Sequence, residues 1–340
     1  MITASWSPYE LRFLFEARTS RESMWSKKTF FVTLRDTESG REGHGECGLF
    51  KGLSADDVPE YESLLDYFCL HPEEALGCPY SSIRMGFETA FRDMERPDGC
   101  LFPGAEGWLD GIAGIPINGL VWMGDKQTML RRVREKIEAG FSVLKLKIGG
   151  IDFDDECDII ASVRREFSPS DLTVRLDANG SFSPSDAHSK LDRLSRFSIH
   201  SIEQPLRAGL MEESAGICRE SPVPVALDEE LIGCRTKEEA AGILDTIRPQ
   251  YIILKPTLCG GFSGADTLIS LAGERGIGWW ATSALESNIG LNAIAQWVAA
   301  KKTSLPQGLG TGQLYENNIP SGMYLRGQYL FNNGRHNPGY

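Results

Sequence analysis

The sequence predicts an α/β protein: a modified TIM barrel of (β/α)7β form, preceded by a smaller α+β lobe. Three observations point there. From Ile115 onward, short β-rich runs alternate with helical stretches, the pattern of strands joined by crossover helices. Charged residues end five successive runs, at Lys147, Asp177, Glu203, Asp228 and Lys255, with steps of 30, 26, 25 and 27 residues, each close to one strand, helix and loop. The first 110 residues lack that alternation.

In the N-terminal lobe (1–110), WSPYELRF, KTFFVTLRD and REGHGECG read as a strand meander, followed by helical segments around Asp56 to Cys69 and Ile83 to Met94. The Gly/Pro-rich RPDGCLFPGAEG marks the boundary. The barrel (111–310) then offers the strands IPINGLV, VLKLKIG, TVRLDAN, IHSIEQP, VPVALDE, YIILKP and GWWATSA, with a weak eighth near QGLGTG. Helical stretches lie between them. In the first, Leu130, Val133 and Ile137 make one apolar face and Gly140 supplies the stop. The remaining residues, 311–340, show no further repeat and are expected to return to the first lobe.

Composition limits the function classes. With 41% hydrophobic and 24% charged residues over 340 positions, the chain has an ordinary globular balance. A net charge of -12 opposes a nucleic-acid surface but leaves room for a small anionic substrate where positive charge is local. No run approaches the ~18 apolar residues of a membrane span, and the N-terminus has no leader pattern, so a cytoplasmic protein is expected. The eight cysteines form no CxxC pair and read as reduced core residues. The five histidines contain no HxH. The sequence leaves the oligomeric state open.

Active sites of barrels lie at the C-terminal ends of the strands, where all five charged residues fall. Taken singly, Asp177, Glu203 and Asp228 could be turn or cap residues. Together, at three successive strand ends and without histidine or cysteine, they make an oxygen donor set suited to Mg²⁺, with Mn²⁺ as the other option. Lys145 and Lys147 are two apart in a β run and share the barrel's interior face. The charge of Lys145 and a nearby divalent cation would favour a neutral amine at Lys147, fit to act as a base. Lys255 ends its run across the barrel. Such an arrangement suits removal of a proton α to a carboxylate. Arg175 and Asn179 flank Asp177 at two-residue spacing and are expected to orient substrate or water. The glycine-rich CGGFSG and GLGTG lack the P-loop lysine and read as loops giving backbone access to the pocket.

In this order and spacing, KLK, RLDAN, IEQP, LDEE, ILKP and TSALES resemble the enolase superfamily, within its muconate-lactonizing subgroup. GHGECGLFKGLS and SSIRMGFETA resemble that subgroup's capping-domain turn and helix, so the likeness covers nearly the whole chain. The resemblance implies that Asp177, Glu203 and Asp228 bind Mg²⁺ and that Lys147 is the α-proton base with Lys145 as its neighbour. Lys255 would be the opposite acid/base or a stabilising cation, and Ser283 a substrate contact. Through RLDANGSF, ALESNIGL and GLGTGQLYENNI it further implies a lyase of menaquinone biosynthesis, converting 2-succinyl-6-hydroxy-2,4-cyclohexadiene-1-carboxylate to 2-succinylbenzoate by syn-dehydration. The alternative is racemisation of N-acylamino acids or epimerisation of dipeptides. Dipeptide epimerases of the subgroup usually carry an Asp-x-Asp near the last strand, and this chain has no acid between Gly308 and Tyr315. Two departures, Cys47 for alanine and Phe50-Lys51 for an apolar-Pro pair, fall in the loop expected to close over substrate.

Overall fold

The structure is a computed structural model and describes residues 1–18 and 23–334. Its N-terminal lobe is an antiparallel sheet of β1 (Ile2–Arg18), β2 (Ser23–Asp36) and β3 (Glu42–Cys47) in that order, with α1 (Tyr61–Leu70) and α2 (Ser81–Glu95) packed against it. The glycines of GHGEC have a packing reason. A Cβ at Gly43 would overlap the Ala90 carbonyl of α2, and one at Gly45 the Gly86 carbonyl, so two side-chain-free positions on one face of β3 let helix and strand meet backbone to backbone. Gly45→Ala is expected to destabilise the protein by at least ~1–3 kcal/mol, because backbone must move to admit the methyl group. Denaturant unfolding checks this.

A short helix α3 (Glu106–Leu109) leads to β4 (Ile115–Pro116) and β5 (Gly119–Val121). From there strands and helices alternate: α4 (Lys126–Glu138), β6 (Val143–Lys147), α5 (Phe153–Glu166), β7 (Thr173–Asp177), α6 (Ala187–Ser195), β8 (Ser201–Glu203), α7 (Met211–Glu220), β9 (Val225–Leu227), α8 (Lys237–Ile247), β10 (Tyr251–Leu254), α9 (Gly261–Glu274), β11 (Gly278–Ala281) and α10 (Asn288–Lys301). β5 to β11 form one parallel sheet in sequence order. The weak eighth strand is reduced to two residues that close the barrel, Gln307 bridging Ile117 and Gly308 bridging Thr282. This is the (β/α)7β barrel expected of the sequence.

The expected first strand, IPINGLV, divides in two. Ile115 and Pro116 pair instead with the C-terminal hairpin of β12 (Met323–Arg326) and β13 (Tyr329–Asn332), and Gly119–Val121 alone belongs to the barrel. Local β-propensity covers the whole run, but the partner changes within it. Upstream of that hairpin the chain touches the N-terminal lobe: Leu14 N donates to Leu314 O at 2.9 Å and Glu316 N to Arg12 O at 3.0 Å. In α4, Met129 and Val133 are buried, Leu130 and Ile137 half-buried, and Gly140 takes a positive φ of 86° past the end. All eight cysteines are free thiols, six of them buried.

Two carboxylates join the lobes. Glu88 of α2 accepts from Phe262 N at 2.6 Å and from the Ser263 hydroxyl. Glu46 of β3, 1% exposed, accepts from Thr29 Oγ1 at 2.7 Å, Ser287 N at 2.9 Å, Ser287 Oγ at 2.5 Å and Gly290 N at 2.9 Å. It thereby serves unpaired donors in the first turn of α10. CGGFSG, expected to line the pocket, instead opens α9 and provides this docking to Glu88: its donors are consumed by the interface.

Candidate active site

The strand register brings the end residues together. Lys147 pairs with Asp177, and Asp177 with Glu203; Asp228 directly follows β9 and Lys255 directly follows β10. Lys145 Nζ lies 2.9 Å from Asp177 Oδ2 and 2.6 Å from Glu203 Oε2. Lys147 Nζ is 3.0 Å from Asp177 Oδ2 and 2.8 Å from Asn179 Oδ1, and Lys255 pairs with Asp228. Asn179 also donates from Nδ2 to Glu229 Oε1 at 3.1 Å, so its amide bridges the lysine and that carboxylate.

Burial decides the electrostatics. Burial alone would raise the Asp177 carboxyl, but Lys145 and Lys147 outweigh it and hold it below the usual carboxylate range. Glu203 goes the other way, pushed up by burial and then by repulsion from Asp177. Burial disfavours the ammoniums of Lys145 and Lys255, yet Asp177 and Glu203 on the first, and Asp228 on the second, raise both.

The donor set fits a hard divalent cation. Three carboxylates, each at most 2% exposed, stand on adjacent strand ends, and Glu203 Oε1 accepts no hydrogen bond among the described residues. A buried carboxylate whose charge is disfavoured in this way is relieved by a nearby cation. As the side chains stand, lysine ammoniums reach between the acids, and no three His, Cys, Asp or Glu side chains of the described residues form a finished ligand group.

Above these groups is a cavity of about 220 Å³. Asn118, Leu120 and Trp122, alternate residues of the first barrel strand and its extension, form one wall. Thr282 to Leu285, with Gly308, Gly310 and Thr311, form another, and Phe50 to Leu53 of the N-terminal lobe cover it. Ser283 is on this wall; its hydroxyl donates to Glu286 Oε2 at 2.7 Å and accepts from Leu285 N at 2.9 Å. Sequence reasoning missed Trp122 and Glu229, although the period-2 alternation after Asn118 and the second acid of LDEE were signals for them.

Two expected residues stand elsewhere. Arg175 is 2% exposed and absent from the cavity wall: Nη1 donates to Pro306 O at 2.7 Å and the guanidinium lies 4.0 Å from the Trp280 ring centroid. It sits one strand residue pair below Asp177, inside the barrel, with its pKa lowered by burial to about 10. Cys47 is fully buried against Gly86 in the N-terminal lobe, so of the two departures only Phe50-Lys51 reaches the cavity.

Beside Arg175, His200 stacks on Tyr251, centroids 5.2 Å apart. Burial, then the Arg175 charge, lowers its pKa to about 4, against ~6.5 unfolded. The unfolded chain therefore takes up this proton first as pH falls. The stability contributed by neutral His200 is present above pH ~6.5 and lost as pH drops toward 4. A ring titration followed by NMR should show a midpoint near 4, and urea unfolding a decline over that window that His200→Gln reduces.

Barrel, covering lobe and strand-end carboxylates with flanking lysines define a class. The chain belongs to the enolase superfamily: the Enolase C-terminal domain-like family model matches residues 128–338. Among curated relatives, o-succinylbenzoate synthase of Desulfotalea psychrophila is 43% identical, with 94% of this chain and 96% of that protein aligned. The crystal structure of MenC from Desulfotalea psychrophila LSv54 superposes with a TM-score of 0.85 at 40% identity, covering 97% of this chain and 99% of that one. The fold is also that of the dipeptide epimerase from Enterococcus faecalis V583, solved with Mg and the dipeptide L-Leu-L-Tyr: TM-score 0.80, 19% identity, 98% and 97% coverage. No helix of the described residues is long and apolar enough to cross a membrane.

Proposed function

We propose that the chain is an o-succinylbenzoate synthase, a hydro-lyase that converts 2-succinyl-6-hydroxy-2,4-cyclohexadiene-1-carboxylate to 2-succinylbenzoate and water. The observation that carries the reading is the pair Lys147 and Lys255, from separate strands, facing one cavity beside three buried carboxylates. The 43% identity to the Desulfotalea psychrophila synthase over nearly the whole chain supports it.

Asp177, Glu203 and Asp228 would hold Mg²⁺. When bound, the ion supplies positive charge to the substrate carboxylate and so stabilises the negative charge that develops as the α proton leaves. Lys147, acting as the base, takes the proton from C1 and then gives a proton to the C6 hydroxyl on the same ring face. The C6–O bond breaks, water departs, and the ring becomes aromatic. Asn179 Oδ1, 2.8 Å from Lys147 Nζ, orients that amine. Lys255, kept cationic beside Asp228, faces the ring as a cation-π partner.

Between Gly308 and Tyr315 the wall presents Gly308, Gly310 and Thr311 and no acid, which disfavours a substrate ammonium there. The discriminating experiment compares Mg²⁺-dependent aromatisation of the cyclohexadiene with α-proton exchange of an N-succinyl amino acid in D₂O. Fast aromatisation with slow exchange is expected, and chelation of the metal by EDTA should abolish turnover until Mg²⁺ is restored. Fast exchange without aromatisation would identify a racemase.

A further inference from the structure

Four lysines line the cavity: Lys51, Lys145, Lys147 and Lys255. Three are committed at its floor, Lys145 to Asp177 and Glu203, Lys147 to Asp177, and Lys255 to Asp228. Lys51 differs. It is exposed, stands on the covering segment from the N-terminal lobe, and makes no hydrogen bond or ion pair with the described residues. The segment that carries it is internally braced: Leu53 N donates to Phe50 O at 3.1 Å, Ser54 N to Phe50 O at 2.8 Å, and Gly52 N to Asp57 Oδ2 at 2.7 Å.

We propose that Lys51 is a specificity-determining residue that recognises a second, distal carboxylate on the substrate. The inference rests on the function proposed above, because that substrate carries two carboxylates. One, on the ring carbon that loses its proton, must lie at the floor among the strand-end groups. The other ends a succinyl chain, with a ketone carbon and two methylenes between it and the ring, and so projects away from the floor toward the mouth, where Lys51 stands. A protein of net charge -12 repels a dianion at long range, so an uncommitted ammonium at the mouth is the local charge such a ligand needs. The ammonium is a point charge on a flexible stem, which suits a carboxylate at the end of a flexible chain.

The test compares two ligands on the Mg²⁺-loaded protein by calorimetry: 2-succinylbenzoate, and 2-butyrylbenzoate, in which a methyl group replaces the tail carboxylate. Under a covering segment the effect falls between that of a fully exposed ion pair and that of a buried charge-assisted hydrogen bond. Lys51→Met is expected to weaken 2-succinylbenzoate binding about tenfold and to leave 2-butyrylbenzoate within about twofold. Lys51→Arg should restore most of the loss. In turnover, KM for the cyclohexadiene should rise with a much smaller change in kcat. Equal loss for both ligands would mean that Lys51 only shapes the loop, and no loss for either would mean that it is solvated; each result overturns the proposal. If wild-type protein turns over the cyclohexadiene, failure of the Lys51 variants leaves the synthase reading intact. Wild-type protein without turnover defeats that reading and this inference together.

Discussion

Lys147→Ala is expected to lower turnover of the cyclohexadiene by about 10³-fold or more while the protein remains folded. A positioned general base contributes ~10²–10⁴-fold, and here one amine is assigned both proton transfers. The side chain is 12% exposed and its ammonium touches Asp177 and Asn179 only through its tip. Removing it therefore opens a small space at the edge of the cavity and spares the hydrophobic core. Initial rates from ultraviolet absorbance, alongside circular dichroism and Mg²⁺ binding, separate lost chemistry from lost structure. A variant that folds, binds Mg²⁺ and keeps a tenth of the rate would remove Lys147 from the base role.

Glu46→Ala is expected to destabilise the protein by ~3–5 kcal/mol. Its carboxylate accepts from four donors, of which Ser287 N and Gly290 N belong to the start of α10, and truncation would leave them buried without an acceptor. An unsatisfied buried donor costs ~1–3 kcal/mol, and the losses in one network do not add fully. Lys27, 6% exposed and drawn toward its charged form by Glu46 and Glu286 against the burial that lowers its pKa, would lose part of that compensation. Chemical denaturation should show the loss, and Glu46→Gln, which keeps acceptor and shape, a smaller one. Equal stability of wild type and Glu46→Ala would show that α10 does not depend on this contact. Activity should suffer as well, since Ser283 and the covering segment lie on either side of the same interface.

The barrel was legible because its signals are local. Each strand's apolar run, its closing charge and the helix after it lie within about thirty residues, and parallel neighbours then align the closing charges without further information. Depth was not legible. Lys145 and Lys147, or Arg175 and Asp177, share a face by the same period of two, yet Arg175 is consumed by Pro306 O and Trp280 below the cavity. Periodicity specifies which side a residue faces, not which layer it occupies. Adjacent loop positions separate for a similar reason: β3 ends at Cys47, which stays in the core, and three residues later Phe50 has crossed to the cavity. The docking of Glu46 on Ser287 spans 241 residues and has no sequence pattern to announce it. The eighth strand was only faintly legible, as the run near QGLGTG, because its barrel pairing consists of isolated bridges at Gln307 and Gly308.

The most direct measurement follows 2-succinylbenzoate formation by ultraviolet absorbance with purified wild-type protein, Mg²⁺ and the cyclohexadiene. Turnover in the ordinary enzymatic range, ~1–10³ s⁻¹, is expected. A folded, Mg²⁺-binding protein that leaves the cyclohexadiene unchanged would contradict the assignment and turn the search toward other α-proton substrates for the same lysines.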